Sequence, residues 1–339
     1  MLEMPEPIII LSPKTGTPTV NKPRYLLKET DFSLPEIAQL FALAADFKLN
    51  RGGGTPGLLA RQTWGLLFFK NSTRTRVSFE VGIHELGGHA LYMDTQNMQL
   101  SRGESIEDTA RVLSRYVHGM VIRAFEHRWV EEFSNAGCIP VINALTDSFH
   151  PCQSYTDAFS IAERIDPKVP SPLLLRGRKL AYLGDCASNM AQSWILLGAH
   201  LGMEVVLAGP QRYAPDDGIM DVIRDSGLVP THRFTEDAGD AARGADVVYT
   251  DVWVSMGDEA EAEDRLKSMA PYTVDSKLMS HASPDAVFMH CLPAHPGQEV
   301  SQEVLDSPQS IVFDQAENRL HVQKAILAIL GLSHSEKDI

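Results

Sequence analysis

Apolar residues recur along the chain at two different spacings, which together predict alternating strands and helices. Short apolar runs at Trp64–Phe69, Met120–Arg123 and Leu180–Leu183 are typical of buried strands. Apolar residues spaced three or four apart predict helices at Arg74–Leu86 and Met190–Leu201. Further apolar runs predict strands at Ala90–Met93, Pro140–Leu145, Glu204–Ala208, Val247–Tyr249, Ala286–Met289 and Ile311–Phe313. This alternation predicts an α/β protein of two domains, each a parallel sheet flanked by helices.

Local signals mark the ends of two helices. Ser33 followed by Glu36 forms a capping box, which predicts a helix over 34–48. A last helix over about 317–330 presents its apolar residues on one face, and Gly331 is typical of a helix stop.

Proline-rich segments divide the chain. Residues 1–24 contain five prolines and no helical period, which predicts a loose N-terminal arm. A second proline-rich segment, PKVPSPLLLRG, follows Asp166 and predicts a domain boundary. We expect a first domain over 25–166, completed by a C-terminal helix over 320–339, and a second domain over 167–319.

Composition excludes several classes of function. The 339 residues include 30 Lys and Arg against 44 Asp and Glu, a net charge of −14, which argues against a nucleic-acid binder. The apolar runs are shorter than the roughly 20 residues of a membrane span. Four scattered cysteines without a C-x-x-C pair disfavour a disulfide framework and a structural zinc site. The N-terminal sequence does not resemble a signal peptide, so we expect a cytoplasmic protein.

Polar residues collect where predicted strands end, which is where parallel α/β sheets bind ligands. In FFKNSTRTR a strand gives way to a helix, so Ser72, Thr73, Arg74 and Thr75 lie at a helix N-terminus. Free backbone N–H groups and the helix dipole favour an anion there, and an arginine can bind phosphate with two hydrogen bonds. The alternative is that Ser72 or Thr73 merely caps the helix.

Two further strand ends carry candidate ligand-binding residues, and each has a simpler structural explanation. Arg123 ends a strand, and it is either a ligand-binding or a solvated surface arginine. In HPCQ, His150 and Gln153 can donate hydrogen bonds to a carbonyl oxygen. A His-Pro pair is also typical of a simple turn, which is the interpretation that HPCQ favours by itself.

The second half of the chain adds three candidate segments. In DVWVSMG, Asp251 can bind an ammonium group, and Ser255 and Met256 can present polar groups to a carboxylate; the alternative is a polar loop with Met256 filling a core gap. In HCLP, Cys291 can act as a thiolate nucleophile, but no general base stands beside it, which favours a binding thiol or packing. Arg319 is predicted to start the last helix, where the dipole disfavours a cation.

The order of these motifs resembles the aspartate/ornithine carbamoyltransferase family. The resemblance runs from about Tyr25 to Leu330 and is carried by FFKNSTRTRVSFE, MQLSRGES, HPCQ, DVWVSMG, HCLPAH and AENRLHVQKAIL. The Ser-Thr-Arg-Thr signature, with His-Pro-x-Gln and His-Cys-Leu-Pro, is highly specific. The SMG loop is the feature that the family associates with ornithine, rather than aspartate, as the acceptor.

The resemblance implies a transferase that moves the carbamoyl group of carbamoyl phosphate to the δ-amine of L-ornithine, giving L-citrulline and phosphate in arginine metabolism. It implies that carbamoyl phosphate is bound by Ser72, Thr73, Arg74, Thr75, Gln99, Arg123, His150, Gln153, Cys291, Leu292 and Arg319. Of these, it implies a catalytic role for Thr75, Arg123, His150 and Cys291, and it implies that ornithine is bound by Asn189, Asp251, Ser255 and Met256. It also implies a homotrimer in which Gln99 reaches the neighbouring subunit's site, with no metal or organic cofactor.

Two departures from the family pattern concern the acceptor side. The usual Gly-Asp-Gly-(x)-Asn-Asn stretch ends here at Asn189 but has Cys186 and Ser188 where the family has Gly and Asn, which leaves the loop shape open. Pro296 follows HCLPAH where bacterial relatives often have Arg, so a positive charge near the cleft is expected to be missing. Neither change removes a phosphate-binding residue.

Three alternative functions stay open. The acceptor could be putrescine or an N-acylornithine, although the intact DVWVSMG favours an amino acid. The chain could be a non-catalytic relative, although it keeps the phosphate-binding residues. A nicotinamide dehydrogenase is disfavoured because no G-x-G-x-x-G follows a predicted strand.

Overall fold

Two five-stranded parallel sheets form the framework of the protein. The computed structural model describes residues 24–53, 57–95, 98, 100, 103–254 and 261–335. Every strand pairing in both sheets is parallel. The predicted fold class is therefore confirmed. Apart from Arg24, the predicted arm over 1–24 lies outside the described residues.

The first sheet has the strand order β1-β5-β4-β2-β3. Its strands are β1 (Tyr25–Leu26), β2 (Thr63–Phe68), β3 (His89–Asp94), β4 (Gly119–Arg123) and β5 (Val141–Leu145). The helices of this half are α1 (Leu34–Leu49), α2 (Thr73–Glu85), α3 (Ile106–Leu113), α4 (His127–Ala136) and α5 (Pro151–Ile165). The capping box of Ser33 and Glu36 begins α1, as predicted.

The second sheet has the order β10-β9-β6-β7-β8. Its strands are β6 (Lys179–Leu183), β7 (Glu204–Ala208), β8 (His232–Thr235), β9 (Val247–Thr250) and β10 (Val287–His290). The remaining helices are α6 (Asn189–Leu201), α7 (Gly218–Asp225), α8 (Ala238–Ala242), α9 (Ala262–Met269), α10 (Ser276–Met279), α11 (Gln302–Leu305) and α12 (Val312–Ser335).

Helices α5 and α12 join the two halves. Every residue from Pro151 to Ala162 of α5 is buried, and one hydrophobic core runs without a break from Trp64 of the first sheet to Tyr249 of the second. Helix α12 begins beside β10 and then packs against α1, α2 and α5. The ends of both helices therefore lie between the carboxyl edges of the sheets, where the motif residues converge.

Two predictions about the last helix are wrong. Ile311–Phe313 is not a strand, because the backbone N–H of Gln315 already donates to the carbonyl of Ile311 at 2.8 Å in a helical pattern. Gly331 does not stop the helix, which continues to Ser335. A Cβ atom at Gly331 would lie 2.5 Å from Leu59 Cδ2, so the glycine serves close packing.

None of the described helices combines the length and the apolar character that a membrane crossing requires.

A close backbone approach in the second half gives the first testable prediction. A Cβ atom at Gly209 would collide with the carbonyl oxygen of Gly184, in the loop that leads to Asn189. We expect Gly209→Ala to lower the free energy of unfolding by about 1–3 kcal/mol, because backbone atoms cannot rotate away as a side chain can. Urea unfolding measures the change. Gly239→Ala, inside α8, is the control and should be neutral or stabilising; equal loss in both variants would contradict this account.

Candidate active site

A cleft of about 500 Å³ lies between the carboxyl edges of the two sheets. It is lined by every predicted site residue that the structure describes: Ser72, Thr73, Arg74, Thr75, Arg123, His150, Gln153, Asn189, Asp251, Cys291, Leu292 and Arg319. The predicted Gln99, Ser255 and Met256 lie outside the described residues. The cleft is also lined by residues that the sequence analysis did not single out, namely Lys70, Asn71, Leu145, Met190, Val252, Val254, Pro293 and His295.

The N-terminus of α2 forms one wall of the cleft. Ser72 is the N-cap, and its Oγ accepts a hydrogen bond from the backbone N–H of Thr75 at 3.3 Å. The same hydroxyl lies 3.0 Å from Thr75 Oγ1, to which it donates. Ser72 thus does cap the helix, as the simpler alternative held. Capping and anion binding are compatible, because the first N–H groups of a helix have no partners within it.

Three arginines surround this helix N-terminus. Arg74 Nη2 donates to the carbonyl oxygen of Leu292 at 2.8 Å, which connects the two halves across the cleft. Arg123 and Arg319 are buried, with 7% and 5% of their surface exposed. Among the described residues, none of the three forms an ion pair, and Arg123 Nε has no hydrogen-bond partner. Burial, and secondarily the charge of Arg319, lower the pKa of Arg123 to about 10. An anion bound here would relieve this repulsion.

Arg319 does not start the last helix, as the sequence analysis had predicted. It lies inside α12, away from the unfavourable end of the dipole. Its Nη2 donates to Thr75 Oγ1 at 3.1 Å, and its Nη1 donates to Gln153 Oε1. With the amide of Gln323 oriented to satisfy both of its neighbours, that side-chain oxygen accepts from Arg319 Nε at 3.0 Å. The guanidinium is therefore held by acceptors on three sides.

HPCQ is not a simple turn. His150 is the N-cap of α5 and Pro151 is its first residue, a position that proline favours. The backbone N–H of His150 donates to Ser193 Oγ at 2.8 Å, which fixes this helix end against α6. Burial, followed by the charges of Arg319 and Arg123, holds the pKa of His150 well below its usual range. The imidazole is therefore neutral at neutral pH and can donate one hydrogen bond.

The opposite wall carries an acid and a thiol in contact. Cys291 Sγ donates to Asp251 Oδ1 at 3.0 Å, and the backbone N–H of Val252 donates to the same oxygen at 2.8 Å. Burial, and then the Asp251 carboxylate, raise the pKa of Cys291 well above its ordinary value. Burial also raises the pKa of Asp251. Cys291 is thus a neutral thiol, which agrees with the interpretation that it is not a nucleophile.

Asp251, His290 and Cys291 place potential metal-binding atoms within 4.8 Å of one another. These groups already hydrogen-bond within the protein. His290 Nδ1 accepts the backbone N–H of Leu292 at 2.9 Å, and the thiol donates to the carboxylate.

The loop that carries the first departure, Cys186 and Ser188, is well connected. Ser188 is the N-cap of α6, and its Oγ accepts from the backbone N–H of Ala191 at 3.3 Å and lies 2.9 Å from the Tyr182 hydroxyl. Asn189 Nδ2 donates to the carbonyl of Thr146 at 2.6 Å, which ties α6 to the first half. Cys186 is buried beneath the loop. Ser188 therefore has the capping role for which asparagine is equally suited.

Lys70 is the most informative residue that the sequence analysis missed. It is half-buried at the end of the strand–helix motif, with Nζ 5.1 Å from the centre of the Phe125 ring. Burial, and secondarily Arg123, lower its pKa to about 8. Its signal was its place two residues before the Ser-Thr-Arg-Thr signature, but a lysine at a strand end is ordinarily solvated.

Comparison with known proteins identifies the two halves. Residues 24–163 match the family model "Aspartate/ornithine carbamoyltransferase, carbamoyl-P binding domain", and residues 176–330 match "Aspartate/ornithine carbamoyltransferase, Asp/Orn binding domain". The chain is 50% identical over 296 residues to the ornithine carbamoyltransferase of Methanoculleus marisnigri, covering 87% of this chain and 93% of the relative. It is 46% identical over 310 residues to the anabolic ornithine carbamoyltransferase of Pyrococcus furiosus, covering 91% and 96%.

Solved structures show the same likeness. The ornithine carbamoyltransferase from Pyrococcus furiosus superposes with a TM-score of 0.82 at 46% identity, covering 91% of this chain and 96% of that one. The corresponding enzyme from Burkholderia thailandensis gives a TM-score of 0.81 at 41% identity, covering 92% and 99%. Motifs, fold and comparisons agree, and the chain belongs to the aspartate/ornithine carbamoyltransferase family.

Proposed function

We propose that this protein transfers the carbamoyl group of carbamoyl phosphate to the δ-amine of L-ornithine, giving L-citrulline and phosphate. The observation that carries the proposal is the polarity of the cleft. One wall holds three arginines and a helix N-terminus, and the other holds the Asp251 carboxylate. Such a cleft suits an anionic donor beside an acceptor with an ammonium group. The similar proteins named as ornithine carbamoyltransferases support the choice of acceptor.

The phosphate of the donor binds the N-terminus of α2 in this proposal. Backbone N–H groups of Thr73 and Arg74, the side chain of Arg74 and the guanidinium of Arg319 supply donors. The same groups stabilise the phosphate as it leaves. Because Arg74 also contacts the Leu292 carbonyl, phosphate binding and the approach of the two cleft walls are linked.

The carbamoyl group lies between Thr75, Arg123 and His150. Negative charge develops on the carbamoyl oxygen when the amine attacks, and donors placed in advance at that oxygen lower the barrier. Arg123 suits this role because it lines the cleft and forms no ion pair with any of the described residues. His150 donates as a neutral imidazole, so its donation does not require a protonated ring.

Ornithine binds the opposite wall. Asp251 attracts the α-ammonium group, the side chain of Asn189 assists, and Ser255 and Met256 of the SMG loop contact the α-carboxylate. The δ-amine attacks only when neutral, and a free amine of this type has a pKa of about 10.4. Holding donor and acceptor in contact between the two walls supplies much of the rate enhancement.

Cys291 positions the substrates and forms no covalent intermediate. A thiol whose pKa is raised by burial and by Asp251 is a weak nucleophile. Its S–H group already donates a hydrogen bond to Asp251 Oδ1, and this bond orients the carboxylate towards the acceptor.

The organisation of the enzyme completes the proposal. We divide the chain after residue 166, because the two family matches lie on either side of that point. We return the C-terminal part, residues 320–339, to the first domain, because α12 packs against α1, α2 and α5. We propose a homotrimer in which Gln99 enters a neighbouring site. A cytoplasmic place in arginine biosynthesis agrees with four free cysteines and with a similar protein named anabolic.

An acceptor panel tests the proposed function. With carbamoyl phosphate as donor, we expect ornithine to give the highest kcat/KM among ornithine, N-acetylornithine and putrescine, because Asp251 needs an α-ammonium group. The rate should rise with pH towards about 10 as the δ-amine loses its proton. Product formation is measured chromatographically at several pH values. A better rate with putrescine or N-acetylornithine would reject ornithine as the acceptor.

Arg74→Ala separates an enzyme from a non-catalytic relative. We expect kcat/KM for carbamoyl phosphate to fall about 10- to 100-fold, since a hydrogen bond to a charged group contributes about 1.5–3 kcal/mol. Arg76→Ala is the matched control, because Arg76 lies on the same helix but faces Glu80 and the Tyr92 ring. Turnover that is unchanged in Arg74→Ala would favour the non-catalytic interpretation.

The thiol chemistry of Cys291 is also testable. We expect iodoacetamide at pH 7–9 to alkylate Cys291 at least about tenfold more slowly than the exposed Cys138, since only a thiolate reacts. Peptide mass spectrometry follows both cysteines in one sample. Equal rates, or a stable carbamoyl adduct on Cys291, would show that the thiol is activated.

A further inference from the structure

Asp157 is a fully buried carboxyl group of α5 that belongs to none of the motifs above. It accepts three hydrogen bonds, one from each of three segments. Gln153 Nε2 donates to Oδ1 at 2.7 Å, Gln315 Nε2 donates to Oδ1 at 2.8 Å, and the Tyr249 hydroxyl donates to Oδ2 at 2.9 Å. Helix α5, strand β9 and helix α12 therefore meet at one carboxylate.

Each of these three partners leads directly to the cleft. Tyr249 stands two residues before Asp251 on the same strand end. Gln315 Oε1 accepts the backbone N–H of His290 at 3.1 Å, immediately before Cys291. The carboxylate thus contacts one residue that leads to the acid of the acceptor wall, Tyr249, and one that leads to its thiol, Gln315.

The third connection determines the orientation of an amide. Because Gln153 Nε2 donates to Asp157, Gln153 Oε1 must face the opposite way, and there it accepts from Arg319 Nη1. With no acceptor at position 157, only the guanidinium itself would orient the amide, whose NH₂ group would be left buried without its partner. An amide that moves or turns to satisfy its NH₂ group elsewhere weakens the contact with Arg319, because an NH₂ group facing the guanidinium cannot accept from it.

We propose that Asp157 is a positioning residue, which orients Arg319 through Gln153 and aligns the two cleft walls through Gln315 and Tyr249. The proposal rests on the proposed function, because it assigns Arg319 to the phosphate of the donor. Its chemical basis is that three donors from three segments converge on the two oxygens of one carboxyl group. Burial raises the pKa of Asp157 to about 7, and the three hydrogen bonds and Arg319 oppose that rise.

Inorganic phosphate is the probe, because its binding reports on Arg319 whether or not ornithine is the acceptor. We expect Asp157→Ala to raise the dissociation constant for phosphate about tenfold or more in calorimetric titration of the full chain, in line with the loss of a hydrogen bond to a charged group. The acceptor panel is run separately, so its failure rejects the proposed function while phosphate affinity still tests the position of Arg319.

A double-variant cycle distinguishes positioning from a general structural role. In a Gln153→Ala background the path to Arg319 is already broken, so Asp157→Ala should change phosphate affinity by less than about twofold. Asp157→Asn should keep most of the affinity, because its oxygen still accepts from both amides and the Tyr249 hydroxyl can accept from its NH₂ group.

The matched control is Ser160→Ala, one turn further along α5, where the buried hydroxyl bonds the Asn318 side chain and the Thr156 carbonyl and, within the described part of the chain, hydrogen-bonds no side chain that lines the cleft. It should leave phosphate affinity unchanged. Thermal unfolding checks that each variant is folded. If Asp157→Ala does not fold, Asp157→Ser, which is too short to reach Gln153, carries the same expectation. Unchanged affinity in the folded single variant, full additivity with Gln153→Ala, or an equal loss in Asp157→Asn would overturn the proposal.

Discussion

The structure depends on a positive charge that the protein itself does not neutralise. Arg123 and Arg319 are buried next to each other, and no carboxylate among the described residues pairs with either of them. Removing one charge from water costs several kcal/mol even after relaxation. Neutral acceptors, such as Thr75 and Gln153, offset part of this cost by accepting hydrogen bonds from Arg319. They orient the guanidinium without cancelling its charge. A carboxylate in their place would stabilise the fold and compete with a phosphate for the same cation.

Holding such a cation requires a scaffold that reaches it from both halves of the molecule. Helix α12 begins beside the second sheet and ends among the helices of the first, so the two halves share one rigid element at the cleft. Arg319 lies in the part of α12 where this crossing occurs. The Asn189 amide on Thr146 and the Arg74 guanidinium on the Leu292 carbonyl add two more bridges. The geometry of the proposed phosphate site is thus inseparable from the relative placement of the two sheets.

Sequence patterns predicted the parts of this arrangement that are encoded locally. Ser72 and Arg74 are neighbours at a helix start, and Arg123 ends an apolar run, so each was visible in a short window. Helix α5 was not predicted, because its twelve consecutive buried residues include five polar ones, so the polarity of the segment does not indicate its burial. The start of α12 was misplaced because the apolar run Ile311–Phe313 imitates a strand. Asp157 gave no signal, since two of its three partners lie 92 and 158 residues away.

The net charge of −14 opposes an anionic donor only at long range. Exposed charges are screened over about 8–10 Å at physiological salt, whereas buried charges are screened far less. Inside the cleft, the arginines and the N-terminus of α2 therefore determine the electrostatic potential at the position proposed for the phosphate. Outside it, an acidic surface attracts a cation such as ornithine, which carries two ammonium groups and one carboxylate at neutral pH. The acidic exterior and the basic wall thus act on different substrates, and a protein with a basic exterior would attract the donor while repelling the acceptor.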